Sequence, residues 1–200
     1  MGYEATNLGM QVFGGHGYIK EHGMEQIVRD TRIATLYEGT TGIQALDLLG
    51  RKTLLMTQGG AVRDFTLRMS NFARKHLSDR TVRPYCWRLL RLAAQWNWLT
   101  LRLMVTARKD RDLVSSAAND FLMYSGYVYM AFMWARMAVA AQKVLCEGGE
   151  QSDDFYRAKL ATAEFYFERM LPRAQSHAES MLSPSDTLIK LDNDHFAFDY

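Results

Sequence analysis

Two hundred residues, 48% of them apolar, permit one sizeable packed core or a partial domain joined to a whole one. The net charge of +2 conceals an uneven distribution: residues 1–50 are net −3, residues 51–111 net +11 with 14 cations against 3 acids, and residues 112–200 net −6. Cys86 and Cys146 lie 60 residues apart without CxxC spacing or a neighbouring His, which argues against a disulfide framework or a metal site and for a reduced, intracellular chain.

The opening MGYEATNLGM has no basic stretch followed by an apolar one, and no uncharged apolar run approaches about 18 residues. The expectation is a cytoplasmic chain with no membrane insertion. Only Pro84, Pro172 and Pro184 interrupt it, and glycine is concentrated before residue 61, so the long remainder is free of breakers and favours helix.

In chain order, YEATNLGMQ is helix-like, Gly14, Gly15 and Gly17 form a turn, and MEQIVRDTRIATL resumes a helical pattern. Glycines in such a turn permit positive φ and let a backbone or a phosphate approach closely. They are no dinucleotide fingerprint, because no strand precedes them. TLYEGTTGIQALDLLGRK then sets Glu38 at the mouth of a helix. An acid there either meets the unsatisfied N–H groups of the helix start, for a gain of a few tenths of a kcal/mol, or serves as a base.

Beyond residue 60 the pattern is helical throughout. Val62, Phe65, Met69, Phe72 and Ala73 form one stripe. Pro84 suits a first helical turn, after which Leu89, Leu92, Trp96, Leu99, Leu103 and Ala107 share a face while Arg88, Arg91, Arg102 and Arg108 line the rest. RKDRD marks a turn. A third helix, about 113–145, carries Ala117, Phe121, Tyr124, Val128, Ala131, Ala135, Ala138 and Leu145, and EGGEQSDD closes it with glycines and a Ser or Asp cap for the next. The fourth, about 153–181, contains Pro172 and is expected to kink there. The prediction is an all-α fold, with an up-and-down bundle over 60–182 and a tail, 183–200, that docks or is partly disordered. The basic middle third is either a polyanion surface or an Arg-rich helix packed beside the acidic helices that follow.

The combination of Gln11, FGGHGY, an Arg-Asp pair and TLYEGT, with Glu38 27 residues after Gln11, resembles the C-terminal segment of the acyl-CoA dehydrogenase flavoproteins. With the helical region that follows, the chain is most similar to larger bacterial members with an appended C-terminal helical domain, such as the 3-methylmercaptopropionyl-CoA dehydrogenase-like proteins. The resemblance is specific over residues 1–52 and diffuse beyond, where ERMLPRA is its one local element. It implies an end of the dehydrogenase C-terminal domain over 1–58, an appended bundle over 60–182, and a place at the end of a protein about three times as long.

The same resemblance implies roles. Glu38 would remove the α-proton of an acyl-CoA thioester while FAD takes the β-hydrogen, and the Glu38 N–H would donate to the thioester oxygen. An apolar, dry surrounding would raise the carboxyl pKa toward that of a useful base. Thr40 matches a position touching FAD. Gln11, Gly14 and Gly15 match a segment meeting the ADP part of a neighbouring subunit's FAD, so a homo-oligomer, dimer or tetramer, is implied. Tyr37 and Gly39 fall at the acyl pocket, although Tyr37 also suits plain packing. An electron-transfer flavoprotein is the implied electron acceptor. The chain alone, without an isoalloxazine-binding domain, is expected to be colourless and inactive.

Gly42 departs from the Gln or Glu common in smaller members, and Arg51 is displaced by one residue from a family arginine, so neither receives a role. His16 reads as a loop residue, and Arg29, Asp30 and Arg32 as a structural ion-pair cluster. Two other classes stand beside the enzyme reading: an AidB-like flavoprotein segment binding DNA through the basic helices, and a non-catalytic oligomerisation bundle.

Overall fold

A computed structural model describes residues 2–110, 112–191 and 195. Among the described residues the regular structure is entirely helical, as predicted. Two compact units divide the chain, one ending at Gln44 and the other beginning at Ala45.

The first unit holds α1 (Gly2–Phe13), the short α2 (Gly15–Tyr18), a 3₁₀ turn (Lys20–His22), α3 (Met24–Arg32) and a second 3₁₀ turn (Ile33–Thr35). Helix α1 packs on both α2 and α3. Gly14, at φ 59° and ψ −142°, has a conformation that side chains with a β-carbon avoid, and it ends α1 sharply. Gly17 is needed for closeness: a β-carbon there would lie 2.5 Å from the Met10 carbonyl oxygen, so only glycine lets α2 fold back on α1. The hydroxyls of Thr6 and Thr31 meet at 2.9 Å between α1 and α3. Neither helix buries a residue, and Val12, Tyr18, Ile27, Ile33, Leu36 and Tyr37 are exposed. This unit contains almost no apolar core of its own.

Among the described residues Arg29, Asp30 and Arg32 form no ion pair, contrary to the expected cluster. Asp30 instead accepts from Gln26 Nε2 at 2.6 Å. Arg32 donates to Thr35 and lies 5.4 Å from the Tyr3 ring centroid. Spacing along one helix turn points these side chains to different neighbours.

The second unit is built around one long helix. After α4 (Thr41–Leu46) the chain is π-helical over Asp47–Met56, then come α5 (Gly60–Lys75), α6 (Arg83–Thr106), α7 (Asp112–Glu147), α8 (Asp153–Phe165), a π turn (Tyr166–Met170), α9 (Arg173–Ser180) and α10 (Asp186–Ile189). Helix α7 packs on α6, α8, α9 and the Asp47–Met56 segment, and α5 covers α6. Phe121, Tyr124, Val128, Ala131, Ala135 and Ala138 of α7 are buried as predicted, against Leu89, Trp96, Leu99 and Leu103 of α6. Leu145, assigned to the same stripe, is only half-buried. Pro84 sits in the first turn of α6 as read, and the Ser152 hydroxyl caps α8 by accepting from the Phe155 N–H.

Polar groups in this core are nearly all satisfied. Tyr166 Oη donates to the Tyr127 carbonyl at 2.8 Å and Tyr124 Oη to Gln95 at 3.2 Å, and burial pushes both phenols above the usual tyrosine range. Trp96 Nε1 is the buried side-chain polar atom left without a conventional partner among the described residues. The indole ring lies among Phe65, Phe121 and Tyr124.

The single kinked helix expected over 153–181 is two helices. Pro172 lacks an N–H and cannot continue α8. The chain widens first, so that the Leu171 N–H bonds to Tyr166 O, five residues back, instead of Phe167 O. Arg88 Nη1 of α6 donates to the Phe167 oxygen thus released, and Nη2 pairs with Glu168 at 2.6 Å. At the tail, buried Ser185 donates to Asp110 Oδ2, while Asp110 Oδ1 accepts from the first N–H groups of α7. The expectation for residues 192–194 and 196–200 falls outside the described residues.

Candidate active site

Tyr37, Glu38, Gly39 and Thr40 occupy the turn between the Ile33–Thr35 segment and α4. Leu36 and Tyr37 both direct their N–H groups to Ile33 O, at 2.9 and 3.2 Å, which closes the turn on its upstream side. The next two residues reverse the chain: Glu38 has φ 56° and Gly39 φ 91°. A left-handed glycine costs little, whereas a left-handed glutamate costs about 1–3 kcal/mol and persists only where its surroundings hold it. Here Gln44 holds it, donating Nε2–H to the Glu38 carbonyl at 2.7 Å. A β-carbon on Gly39 would lie 3.1 Å from that same nitrogen and 3.3 Å from Ile43 Cγ2, so the glycine also provides room for the amide.

Thr40 precedes α4 and its hydroxyl oxygen faces the Ile43 N–H at 3.5 Å, while its carbonyl accepts from Gln44 N at 3.0 Å. The cap position of α4 is therefore Thr40, not Glu38. The Glu38 side chain is exposed, and no hydrogen bond or ion pair involves its carboxylate among the described residues. The apolar, dry surrounding expected for this acid is not supplied by the described residues. Leu36, Tyr37 and Ile43 lie near it in sequence, but all are more than half exposed.

The other group of predicted residues is at α1 and α2. Gln11, Gly14 and Gly15 line one groove of about 490 Å³ together with Asn7, Leu8, Met10 and Tyr18. The Gly14 N–H is used by Gln11 O at 3.1 Å. A β-carbon on Gly14 or Gly15 would meet nothing within 4 Å, so the backbone there is open to an approaching group. Amide side chains and bare backbone, with no carboxylate in the lining, fit the edge of a nucleotide diphosphate such as the ADP part of FAD. Neither Glu38 nor Thr40 lines this groove. His16 stands edge-on to His22 at 5.4 Å, a contact within the turn. The described residues contain no cluster of three or more potential metal ligands, and none of their helices is long and apolar enough to cross a membrane.

A sequence profile described as "Acyl-CoA dehydrogenase, C-terminal domain" matches residues 1–53, and one described as "Acetyl-CoA dehydrogenase C-terminal like" matches residues 65–192. The chain belongs to the acyl-CoA dehydrogenase family. It is 32% identical over 188 residues to a 3-methylmercaptopropionyl-CoA dehydrogenase of Ruegeria pomeroyi, an overlap of 93% of this chain and 31% of that protein. A broad-specificity linear acyl-CoA dehydrogenase of Mycobacterium tuberculosis is 29% identical over 97% of this chain and 33% of its own length. A caffeyl-CoA reductase–Etf complex subunit of Acetobacterium woodii is 46% identical over 41 residues, 20% of this chain and 11% of its own length. The chain thus spans about a third of the length of the first two relatives.

Within this turn, Gln44 is the residue whose role the sequence pattern does not reveal. Its signal was present, as a Gln in the IQ pair six residues after Glu38, but its use depends on a positive φ that no residue type at position 38 announces.

Proposed function

We propose that the chain supplies the base-bearing C-terminal part of an FAD-dependent acyl-CoA dehydrogenase acting in the cytoplasm, which oxidises an acyl-CoA thioester to the trans-2-enoyl-CoA. The observation that carries this reading is the Glu38 turn: a strained, held backbone presenting a carboxylate that, among the described residues, serves no cap and no ion pair. A charge placed only to stabilise a helix start would need neither the strain nor the amide that holds it.

In this reading Glu38 accepts the α-proton on a carboxylate oxygen, and its N–H donates to the thioester oxygen as charge develops there. FAD supplies the two-electron acceptor for the β-hydrogen. Thr40 would offer its hydroxyl to the cofactor, Gln11, Gly14 and Gly15 would hold the ADP part carried by a neighbouring copy, and Tyr37 with Gly39 would border the acyl group. An electron-transfer flavoprotein would be the electron acceptor of the full-length enzyme. The exposed apolar side chains Leu36, Tyr37 and Ile43 would be covered by the remainder of such an enzyme or by its substrate.

The test is Glu38→Gln in the full-length, FAD-loaded enzyme. Substrate should bind and perturb the flavin spectrum, while stopped-flow flavin reduction slows at least about a hundredfold. Reduction within about threefold of wild type would make the carboxylate structural.

A second reading has one observation in its favour. Helix α6 contains no acid in 24 residues and exposes Trp87 and Trp98 among Arg83, Arg91 and Arg102, a combination suited to a polyanion such as DNA.

A further inference from the structure

We propose that Gln44 is a positioning residue for the Glu38 base: its side-chain amide grips the Glu38 carbonyl and so fixes the turn from which the carboxylate projects. The inference rests on Glu38 being the base and names what keeps that base aimed.

Three features converge on it. Glu38, at φ 56°, would relax to an extended or right-handed backbone unless held, and that rotation would swing both its carboxylate and the adjoining peptide groups. The next residue, Gly39 at φ 91°, is a glycine that tolerates many backbone conformations and so gives no support. The Gln44 amide, at 2.7 Å, is the described group that pins the Glu38 carbonyl, and the missing β-carbon of Gly39 makes its approach feasible.

Gln44 is itself anchored, because its N–H bonds to Thr40 O at 3.0 Å in the first turn of α4. A closed ring therefore runs from Glu38 through Gly39 and Thr40 to Gln44 and back through the amide. One carbonyl contact controls two groups with separate tasks, the proton-accepting carboxylate and the N–H aimed at the thioester oxygen. The position demands a donor that reaches across six residues: asparagine is one methylene too short, and a glutamate carboxylate would meet the carbonyl with like partial charge.

The test uses Gln44→Met, which keeps length and helix preference but removes the donor, in the full-length FAD-loaded enzyme. Flavin reduction at saturating acyl-CoA should slow about tenfold, because a small misplacement of a reacting group is costly, while the acyl-CoA dissociation constant and the FAD content stay within about twofold. Combined with Glu38→Gln, the same change should cost clearly less than tenfold, since no base remains to be aimed and only the N–H is still held. Hydrogen–deuterium exchange of the 38–44 segment, which needs neither substrate nor bound FAD, should accelerate about tenfold in Gln44→Met.

Wild-type reduction rates, unchanged exchange, or an undiminished tenfold loss in the Glu38→Gln background would each overturn the proposal while leaving the base assignment intact. Near-normal reduction in Glu38→Gln alone would remove the base assignment, and this proposal with it.

Discussion

Cys86 and Glu38 mark opposite ways in which a side chain's surroundings set its chemistry. Glu38 is exposed and has no side-chain partner among the described residues, so it is available to whatever approaches the turn. Cys86 is fully buried in α6, and desolvation, helped by the nearby Asp79 charge, pushes its thiol above the ordinary range. Only the thiolate is nucleophilic, so the shift and the burial act in the same direction. Cys146, also free, is exposed near the end of α7. Native protein treated with iodoacetamide at pH 8 should therefore be alkylated at Cys146 alone, with Cys86 reacting only after denaturant is added. Peptide mass mapping reads both sites, and rapid native labelling of Cys86 would show that the core around α6 opens readily.

Among the elements, the π turn before Pro172 gives the sharpest energetic contrast. Arg88 satisfies a main-chain oxygen that the widened helix has released, and it also pairs with Glu168, whose side chain is 55% exposed. Leaving a partly buried carbonyl unpaired costs about 1–3 kcal/mol. An ion pair open to water contributes at most about 1 kcal/mol. Arg88→Met should thus destabilise the protein by about 1–3 kcal/mol in urea unfolding, whereas Glu168→Ala should change it by less than about 1 kcal/mol. Equal effects would mean the ion pair, and not the carbonyl, is what Arg88 serves.

The same element shows where sequence reading stopped. The faces of α5, α6 and α7 were legible because period and burial agree, and Pro172 announced a break. The π register did not announce itself. At Asp47–Met56 it accompanies a bond from the Thr53 hydroxyl to the carbonyl of Leu48, five residues back, and a buried threonine making that bond looks like any other in the sequence. At the candidate site, the motif singles out Glu38 and the glycines as a turn, and the structure places them in turns. The motif does not single out Gln44, because its partner is a carbonyl whose direction follows from backbone torsion. The exposure of Glu38 was not foreseen either, since a residue's enclosure depends on what packs around it.

For the molecule as a whole, the distribution of charge is the property least accounted for by internal packing. The bland reading of the +11 stretch required the arginines of α6 to meet the acidic helices that follow, and Arg88 does so with Glu168. Arg83 turns instead to the carbonyls of Leu77 and Ser78, and Arg91, Arg102 and Arg108 have no partner among the described residues. Arg91 and Arg102 share a face of α6 with exposed Trp87 and Trp98. Unpaired guanidinium groups beside exposed indoles bind a polyanion by displacing its counterions, which makes affinity fall with rising salt, the more steeply the more phosphates are contacted. With the three unpartnered arginines and Arg83 engaged, a gel-shift titration of this chain on DNA should give a log K against log salt slope of about −3 to −4, shallower for single strands. Replacing Arg91, Arg102 and Arg108 by glutamate should abolish the shift, while Trp87→Ala with Trp98→Ala should weaken single-stranded binding more than double-stranded, because only unstacked bases reach the indoles. No retardation at low salt would remove the polyanion reading and leave these arginines as a face for the rest of a dehydrogenase to cover.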